Sequence, residues 1–324
     1  MTSPYPTFDD VAGDRSIDVH TITGGRVDDA APINTGRDDL VATRPARSWA
    51  WLGLAPFLAF LTLFLFVPAL SVFINASKDV DGRFSLSSLQ AAFSGENRSA
   101  FWFSIRFSAG AAIVGVVLGS LLAYAAATAT RPRWLRGLVA SFSGVAANMG
   151  GVVLAFAFLI LLGRQGLLTL MLKYVGADLY GSGFALDNVL GLIVVYSYFN
   201  IPLMVLITLP AIDGLKQSWR EANANLGGTS LTYWRRVGIP VLTPSLLGGF
   251  LLLFANSFSA YATASALTDS SQIVSLRIGF FLGGDFGGQD AIGYALAAWM
   301  IVIMAVCMTL YWILRRRAER WQQS

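Results

Sequence analysis

Six long apolar runs constrain this chain more than any other feature of its sequence. An α-helix rises about 1.5 Å per residue, so about 20 apolar residues cross the hydrocarbon core of a bilayer. Only 13% of the 324 residues are charged and the mean hydropathy is +0.60, which is too apolar for a soluble domain of this size. The sequence therefore predicts an all-α polytopic membrane protein with six transmembrane helices. The predicted spans lie near residues 50–74, 100–129, 138–163, 188–212, 242–267 and 291–314.

The lysines and arginines predict how these spans are oriented, because basic residues concentrate in cytoplasmic connections. With the N-terminus inside the cell, sixteen of the 23 basic residues fall on the cytoplasmic side and seven on the other side. Both termini are therefore predicted to be cytoplasmic, in a multi-pass protein of the plasma (cell inner) membrane whose spans contact membrane lipid. The basic residues cluster at the ends of apolar runs, so the net charge of +4 indicates topology, and no nucleic-acid partner is predicted.

Composition divides the chain into three predicted regions. Residues 1–47 contain eight aspartates and five arginines without apolar periodicity, which is typical of a disordered segment. We expect this acidic tail to be cytoplasmic and not a signal peptide, since acidic residues come first and no apolar stretch precedes a small-residue cleavage site. Residues 48–318 are predicted to form the six-helix transmembrane domain, and residues 319–324 a short cytoplasmic tail.

A polar connection between the fourth and fifth predicted spans has the pattern of two short helices. Residues 213–240 read DGLKQSWREANANLGGTSLTYWRRVGIP. Gly227 and Gly228 are predicted to end the first helix, and a second amphipathic helix is predicted from Leu231 to Pro240. Two amphipathic helices joined by a glycine turn suit contact with a soluble partner.

The spacing of this connection resembles the EAA loop of ABC-transporter permeases of the binding-protein-dependent import type. The family's second alanine is replaced here by Asn223, which still fits a first helical turn. The resemblance covers roughly residues 100–315 and implies a five-helix permease core preceded by one additional N-terminal helix. It also implies that the loop docks an ATPase through Glu221, Ala222, Asn223, Gly227, Val237, Ile239 and Pro240. Arg235 and Arg236 would then anchor the loop at the membrane.

The sequence lacks the residues that common catalytic sites require. It contains no Gly-x-x-x-x-Gly-Lys-Ser/Thr motif to bind nucleotide phosphates, so ATP hydrolysis is expected on a separate ATPase chain and no cofactor is predicted on this one. One histidine, one cysteine and no carboxylate pair within a predicted span argue against a metal site or nucleophilic catalysis. The chain is therefore predicted not to be an enzyme.

Polar residues within the predicted spans are candidates for the translocation path, because uncharged polar side chains in a bilayer face the interior of a helix bundle. For each of them, a hydrogen bond between helices is an equally good explanation. Asn256 and Tyr261 are the preferred pair, since they are predicted to lie about one helical turn apart and directly above the loop. The candidates are Asn148, Asn200, Asn256, Ser257 and Tyr261.

The resemblance implies that the chain forms half of a translocation pore for a small solute. Its implied partners are ABC ATPase subunits, a second permease chain and an extracytoplasmic solute-binding protein. The segments 146–158 and 254–267 are most similar to spermidine/putrescine permeases. The main alternative is an ATP-independent secondary transporter or channel, but such proteins place ionisable residues in their spans and this chain has almost none there. A third alternative, a membrane anchor that recruits soluble proteins, leaves the six spans unexplained.

Overall fold

The computed structural model describes residues 50–78, 83–129, 132, 134–268, 272–283 and 290–322. The predicted tail 1–47 lies outside these residues. The chain divides into two units, residues 1–61 and 62–324. The first contributes one described helix, α1 (Ala50–Leu61).

The second unit is built from helices, and the only bridge in its described part is an isolated pairing of Lys78 with Phe84. Two short π-helical segments, Thr62–Phe66 and Trp234–Gly238, each precede an α-helix directly. The α-helices are α2 (Val67–Ala76), α3 (Ser87–Ala91), α4 (Gly95–Thr128), α5 (Trp134–Ala146), α6 (Val152–Leu162), α7 (Leu167–Tyr174), α8 (Val189–Asp213), α9 (Gln217–Asn225), α10 (Ser230–Tyr233), α11 (Ile239–Ser259), α12 (Ala262–Leu267), α13 (Val274–Leu282) and α14 (Asp290–Gln322).

Six helical segments of the described chain are long and apolar enough to cross a membrane, which confirms the predicted all-α, six-span fold. Their length and composition carry this assignment. They are Gly53–Ala76, Gly95–Thr128, Val152–Tyr174, Val189–Asp213, Ser230–Ser259 and Asp290–Arg316.

Two predicted spans are wrong as single continuous helices. The third, 138–163, is interrupted between α5 and α6, because Gly151 takes a left-handed conformation with φ 78° and cannot continue an α-helix. The fifth, 242–267, is interrupted where Ala260 becomes extended, with ψ 115°, between α11 and α12. We call residues 147–151 and 260–261 the two helix breaks.

α4 and α8 run side by side in the same direction and form the centre of the unit. Their backbones approach closely at glycines: a Cβ atom at Gly119 would lie 2.6 Å from the Cβ of Met204 and 2.7 Å from the carbonyl oxygen of Ile201. A Cβ at Gly115 would lie 2.5 Å from Leu253 in α11. Small residues therefore allow three spans to pack at short range, as is common between membrane helices.

The connection between the fifth and sixth predicted spans contains a largely buried helix at residues 274–282. These residues form α13, and Val274, Ser275, Leu276, Arg277 and Phe281 in it are buried. The Val274 amide donates a hydrogen bond to Ser104 Oγ at 3.0 Å. Ser104 lies nine residues after the first residue of α4. α13 therefore begins beside a point about 13 Å along α4 from its N-terminus.

Candidate functional site

The predicted docking loop is an exposed helical hairpin, residues 217–238, which we call the hairpin. Its first helix, α9, has no buried residue. We call the end of the unit that carries it the hairpin end and the opposite end the far end. Leu226, which caps α9, is 88% exposed and Leu231 of α10 is 76% exposed, so the hairpin places apolar as well as charged side chains at its surface.

Gly227 sets the bend of the hairpin through its backbone. Its φ is 73°, and a Cβ there would meet nothing within 4 Å, so the requirement for glycine is conformational. The Gly228 amide donates to the Asn223 carbonyl at 2.8 Å, and the Gly227 amide donates to the Ala224 carbonyl at 2.9 Å. This is the Schellman pattern that ends α-helices with glycine.

Asn223, the departure from the family pattern, holds the same turn. Its side-chain Nδ2 donates to the carbonyl oxygens of Gly228 and Thr229, each at 3.1 Å. Thr229 in turn caps α10 by accepting a hydrogen bond from the Thr232 amide at 3.3 Å. The asparagine therefore contributes hydrogen bonds to the bend that an alanine could not make.

The second helix of the hairpin does not end at Pro240, contrary to the prediction. Residues 234–238 form a π-helical turn in which the Ile239 amide donates to the Trp234 carbonyl, and α11 follows without interruption. Pro240 has no amide hydrogen and its ring crowds the preceding turn, so a wider turn lets the helix continue. The hairpin is thus continuous with a membrane span.

Aromatic and ionic contacts attach the hairpin to the spans. The Trp234 ring packs edge-on against Tyr124 of α4, with 5.1 Å between the centroids. The Arg220 guanidinium lies 5.5 Å from the ring of Tyr233, which is buried. At the same end Arg136 of α5 forms an ion pair with Asp213 of α8. Two spans besides α11, namely α4 and α8, and the shorter helix α5 are therefore connected at or beside the hairpin.

The predicted docking residues share the solvent-exposed surface of the hairpin and its junction with α11. Glu221, Ala222, Gly227, Ile239 and Pro240 are exposed, and Asn223 and Val237 are half-buried. Arg235 and Arg236 are also exposed. Within the protein, Trp234 makes the contact with α4, and the sequence did not distinguish it from its neighbours. Anchoring of the loop at the membrane by Arg235 and Arg236 stays a prediction.

Two of the predicted path residues bond to each other inside the protein. Asn200 Nδ2 in α8 donates to Ser257 Oγ in α11 at 2.9 Å, and both residues are fully buried. Among the described residues, Asn200 Oδ1 has no hydrogen-bond partner. This pair therefore matches the alternative explanation, a hydrogen bond between two helices.

The other path candidates are exposed. Asn148 donates to the Gly144 carbonyl at 2.9 Å within its own turn. Tyr261 is 51% exposed and lies outside α11, at the start of α12, so it is not one helical turn above Asn256 on a common helix. Asn256 lies sixteen residues beyond Pro240, or about 24 Å along the helix, and not directly above the loop.

The two helix breaks meet, which sequence reasoning missed. The Gly151 amide donates to Thr263 Oγ1 at 2.9 Å, and the Ala260 carbonyl accepts from the Tyr196 hydroxyl at 3.4 Å. Tyr196 lies seven residues after the start of α8, one turn before Asn200. Non-helical backbone at membrane depth occurs where protein or a water-filled cavity surrounds it. The available signal was the pair Gly150-Gly151 inside an apolar run.

A cavity of about 380 Å³ opens at the far end. Its polar lining includes Arg164, Tyr180 and Asp187, and the Arg164 guanidinium lies 5.4 Å from the Tyr180 ring centroid. Burial raises the pKa of the Tyr180 hydroxyl, and the nearby Arg164 partly opposes this rise. The hydroxyl therefore stays protonated and donates to the Leu162 carbonyl at 2.9 Å.

Comparison with known proteins adds to this geometry. The sequence profile of the family described as binding-protein-dependent transport system inner membrane component matches residues 115–320. The thiamine transport system permease protein ThiP of Escherichia coli is 25% identical over 224 residues, which are 68% of this chain and 40% of that protein. This chain therefore spans less than half of the length of that relative.

Two further similarities cover more of both chains. The inner membrane ABC transporter permease protein YdcU of Escherichia coli is 22% identical over 277 residues, 81% of this chain and 84% of that protein. A crystal structure of a bacterial alginate ABC transporter in complex with an alginate pentasaccharide-bound periplasmic protein contains a chain with the same fold. That chain matches with a TM-score of 0.62 and 16% identity, over 85% of this chain and 95% of its own.

Proposed function

Because the chain belongs to the family of binding-protein-dependent transport system inner membrane components, we propose that it is the transmembrane permease subunit of an ATP-driven ABC importer. It forms half of the pore for a small solute in the cell inner membrane. The observation that carries this proposal is the exposed hairpin, whose second helix continues into a span.

The hairpin docks the ATPase subunit on the cytoplasmic side, with both termini of the chain on that side. Glu221, Ala222 and the exposed Leu226 supply the contact surface. ATP binds and is hydrolysed on the partner, and the movement of that partner is passed on as a rigid-body displacement. Because α10, the π-helical turn and α11 form one helix, a force that α9 passes to α10 through the glycine turn reaches α11. The Trp234–Tyr124 contact carries the same force to α4.

The translocation path runs beside the two helix breaks, since irregular backbone and broken helices at mid-membrane line the binding regions of many transporters. Asn148, Asn256 and Tyr261 are exposed polar residues close to these breaks in the sequence. In a membrane, such polar side chains must face water or another protein chain, here a second permease chain. The buried Asn200–Ser257 pair acts instead as a bond between spans.

Three partners complete the assembly. One hairpin engages one ATPase, so a second permease chain, identical to this one or different, supplies the other half of the pore. A solute-binding protein delivers the substrate at the far end, which is extracytoplasmic in this orientation. The alginate transporter in the similar crystal structure is in complex with such a periplasmic protein.

The substrate is proposed only as a small solute. Relatives of this chain are named for transport of thiamine, sulfate, molybdenum and spermidine/putrescine, so the predicted similarity to polyamine permeases is not singled out. A polyamine-like solute stays a prediction that uptake of labelled spermidine tests. An ATP-independent transporter gains no support from the relatives, and co-purification of an ATPase separates it from the importer.

The proposal is tested by co-purification from detergent-solubilised membranes with and without a charge on the hairpin. Leu226→Asp places a carboxylate in the centre of the docking surface, where loss of one well-placed apolar contact weakens binding by about tenfold or more. The matched control is Val175→Asp, a change at a far-end residue that is 82% exposed. We expect the ATPase to be lost with Leu226→Asp and retained with Val175→Asp. Failure of the unchanged chain to retain any ATPase would contradict the importer.

A further inference from the structure

Arg277 is a buried cation at the far end. It is 8% exposed, and burial of a guanidinium requires compensating hydrogen bonds and charge. Its Nε donates to Asn97 Oδ1 at 2.5 Å, and its Nη2 donates to Glu96 Oε2 at 3.0 Å. The cation also lies 5.7 Å from the Phe281 ring. We call Glu96, Asn97 and Arg277 the latch.

The latch connects α13 to two other helices, α4 and α3, and packing connects it to α14. Glu96 and Asn97 lie in the first turn of α4, and Asn97 Nδ2 donates to the Ala91 carbonyl at the end of α3 at 3.1 Å. One turn after Arg277, a Cβ at Gly293 of α14 would lie 2.9 Å from the Cβ of Phe281. α13 is thus held by ionic and hydrogen-bond contacts with α4 and by close packing against α14.

α13 also covers the break between α11 and α12. Ser275 Oγ donates to the Ala260 carbonyl at 3.3 Å, which supplies a partner for backbone that the interrupted helix leaves free. A Cβ at Gly279 would lie 3.0 Å from the Tyr261 ring. The latch therefore holds in place a helix that closes the far side of one helix break.

The two ends of the latch differ in exposure. The Arg277 side chain is 9% exposed and the Glu96 side chain 84% exposed. A cationic group on a protein docked at the far end can therefore reach Glu96, where it competes with Arg277 for the carboxylate.

We propose that Arg277 is a positioning residue of the transport cycle: through Glu96 and Asn97 it holds α13 over the break at 260–261, and a docked binding protein releases α13 by engaging the Glu96 carboxylate. This inference rests on the proposed function for the role of the binding protein. The position of α13 itself can be measured on the chain in its membrane, whatever the transport mechanism.

The first measurement is the accessibility of position 275 in intact cells. The chain has one cysteine, Cys307, so Cys307→Ala provides a background in which Ser275→Cys carries the only thiol. A membrane-impermeant methanethiosulfonate reagent should label this thiol slowly, and Arg277→Gln should accelerate labelling about tenfold, the effect of about 1.4 kcal/mol on the opening of α13. Lys173→Gln, at an exposed far-end lysine outside both the latch and the cavity, should leave the rate unchanged.

A second probe separates failure of the latch from failure of the proposed topology. Val175→Cys at the exposed far end should be labelled rapidly in intact cells. If it is not labelled, the proposed orientation is wrong. If it is labelled and Arg277→Gln does not accelerate labelling at position 275, the latch is overturned.

The second measurement is ATP hydrolysis by the purified transporter in vesicles, with and without its binding protein. Arg277→Gln should raise the basal rate severalfold and reduce stimulation by the binding protein, and Arg277→Lys, which keeps the charge, should restore part of the stimulation. Should Arg277→Gln not accumulate in the membrane, Glu96→Gln at the exposed end provides the same comparison with a smaller change. Accelerated labelling without any change in stimulation would show a purely structural contact and overturn the proposed role.

Discussion

The hairpin and α13 lie at opposite ends of the second unit and present their residues in opposite ways. α9 has no buried residue and places charged and apolar side chains in solvent, whereas α13 buries five residues, one of them an arginine. The hairpin binds through what it exposes, so substitutions on it should alter partner coupling and spare folding. α13 is held by its own chain, so substitutions around it should alter stability and gating first.

The largest expected effect is at the hairpin. Gly227→Asp puts a side chain and a charge at a φ of 73° beside Leu226, whereas Gly214→Asp adds the same charge at a φ of −70°, which any residue adopts. We expect Gly227→Asp to abolish uptake into proteoliposomes while ATP hydrolysis continues, and Gly214→Asp to retain most of its uptake. If Gly227→Asp lowers the thermal midpoint and Gly214→Asp does not, the hairpin contributes to folding stability. The contrast between the hairpin and α13 is then lost.

The second-largest effect is expected on stability, at the buried contact between α13 and α14. Gly293→Leu drives a side chain into Phe281 across the α13–α14 contact, and overpacking of this kind costs about 1–3 kcal/mol. Gly137→Leu is the control, since a Cβ there meets nothing within 4 Å in a helix and gains the same helix propensity. The thermal midpoint in detergent should fall by roughly 2–4 °C per kcal/mol for Gly293→Leu. Equal thermal midpoints for the two variants would show that α13 moves to accommodate the leucine without loss of stability.

The same contrast explains what the sequence could predict. The spans were predictable because apolar residues must fill the length of a bilayer crossing, and the hairpin because its glycine turn and exposed residues follow a local pattern. α13 was not predictable, since its apolar stretch is too short to be a span and lies between a polar segment and a glycine-rich one. Its burial depends on contacts with Glu96, Asn97 and Ser104, which are about 170 or more residues away in sequence.

The helix breaks show the same limit at shorter range. Gly150 and Gly151 are visible in the sequence, but glycine is frequent within membrane helices. Only the hydrogen bond from Gly151 to Thr263, 112 residues away, distinguishes a break from a helix that tolerates glycine. Pro240 gives the opposite case: a residue that commonly ends helices is accommodated by a π-helical turn whose anchor, Trp234, contacts a distant span.

The smallest expected effect tests α11, which connects the two regions. Asn256 is exposed like the hairpin, and Asn200, on the facing helix, is buried like α13. Asn256→Leu should lower uptake by roughly threefold, within the range of one lost hydrogen bond to a polar solute, with no change in thermal midpoint or in assembly of the complex. Asn200→Leu should lower the midpoint, because Ser257 Oγ then loses the hydrogen bond that it accepts inside the protein. Unchanged transport kinetics for Asn256→Leu would remove Asn256 from the path, and a lowered midpoint would assign it to helix packing instead.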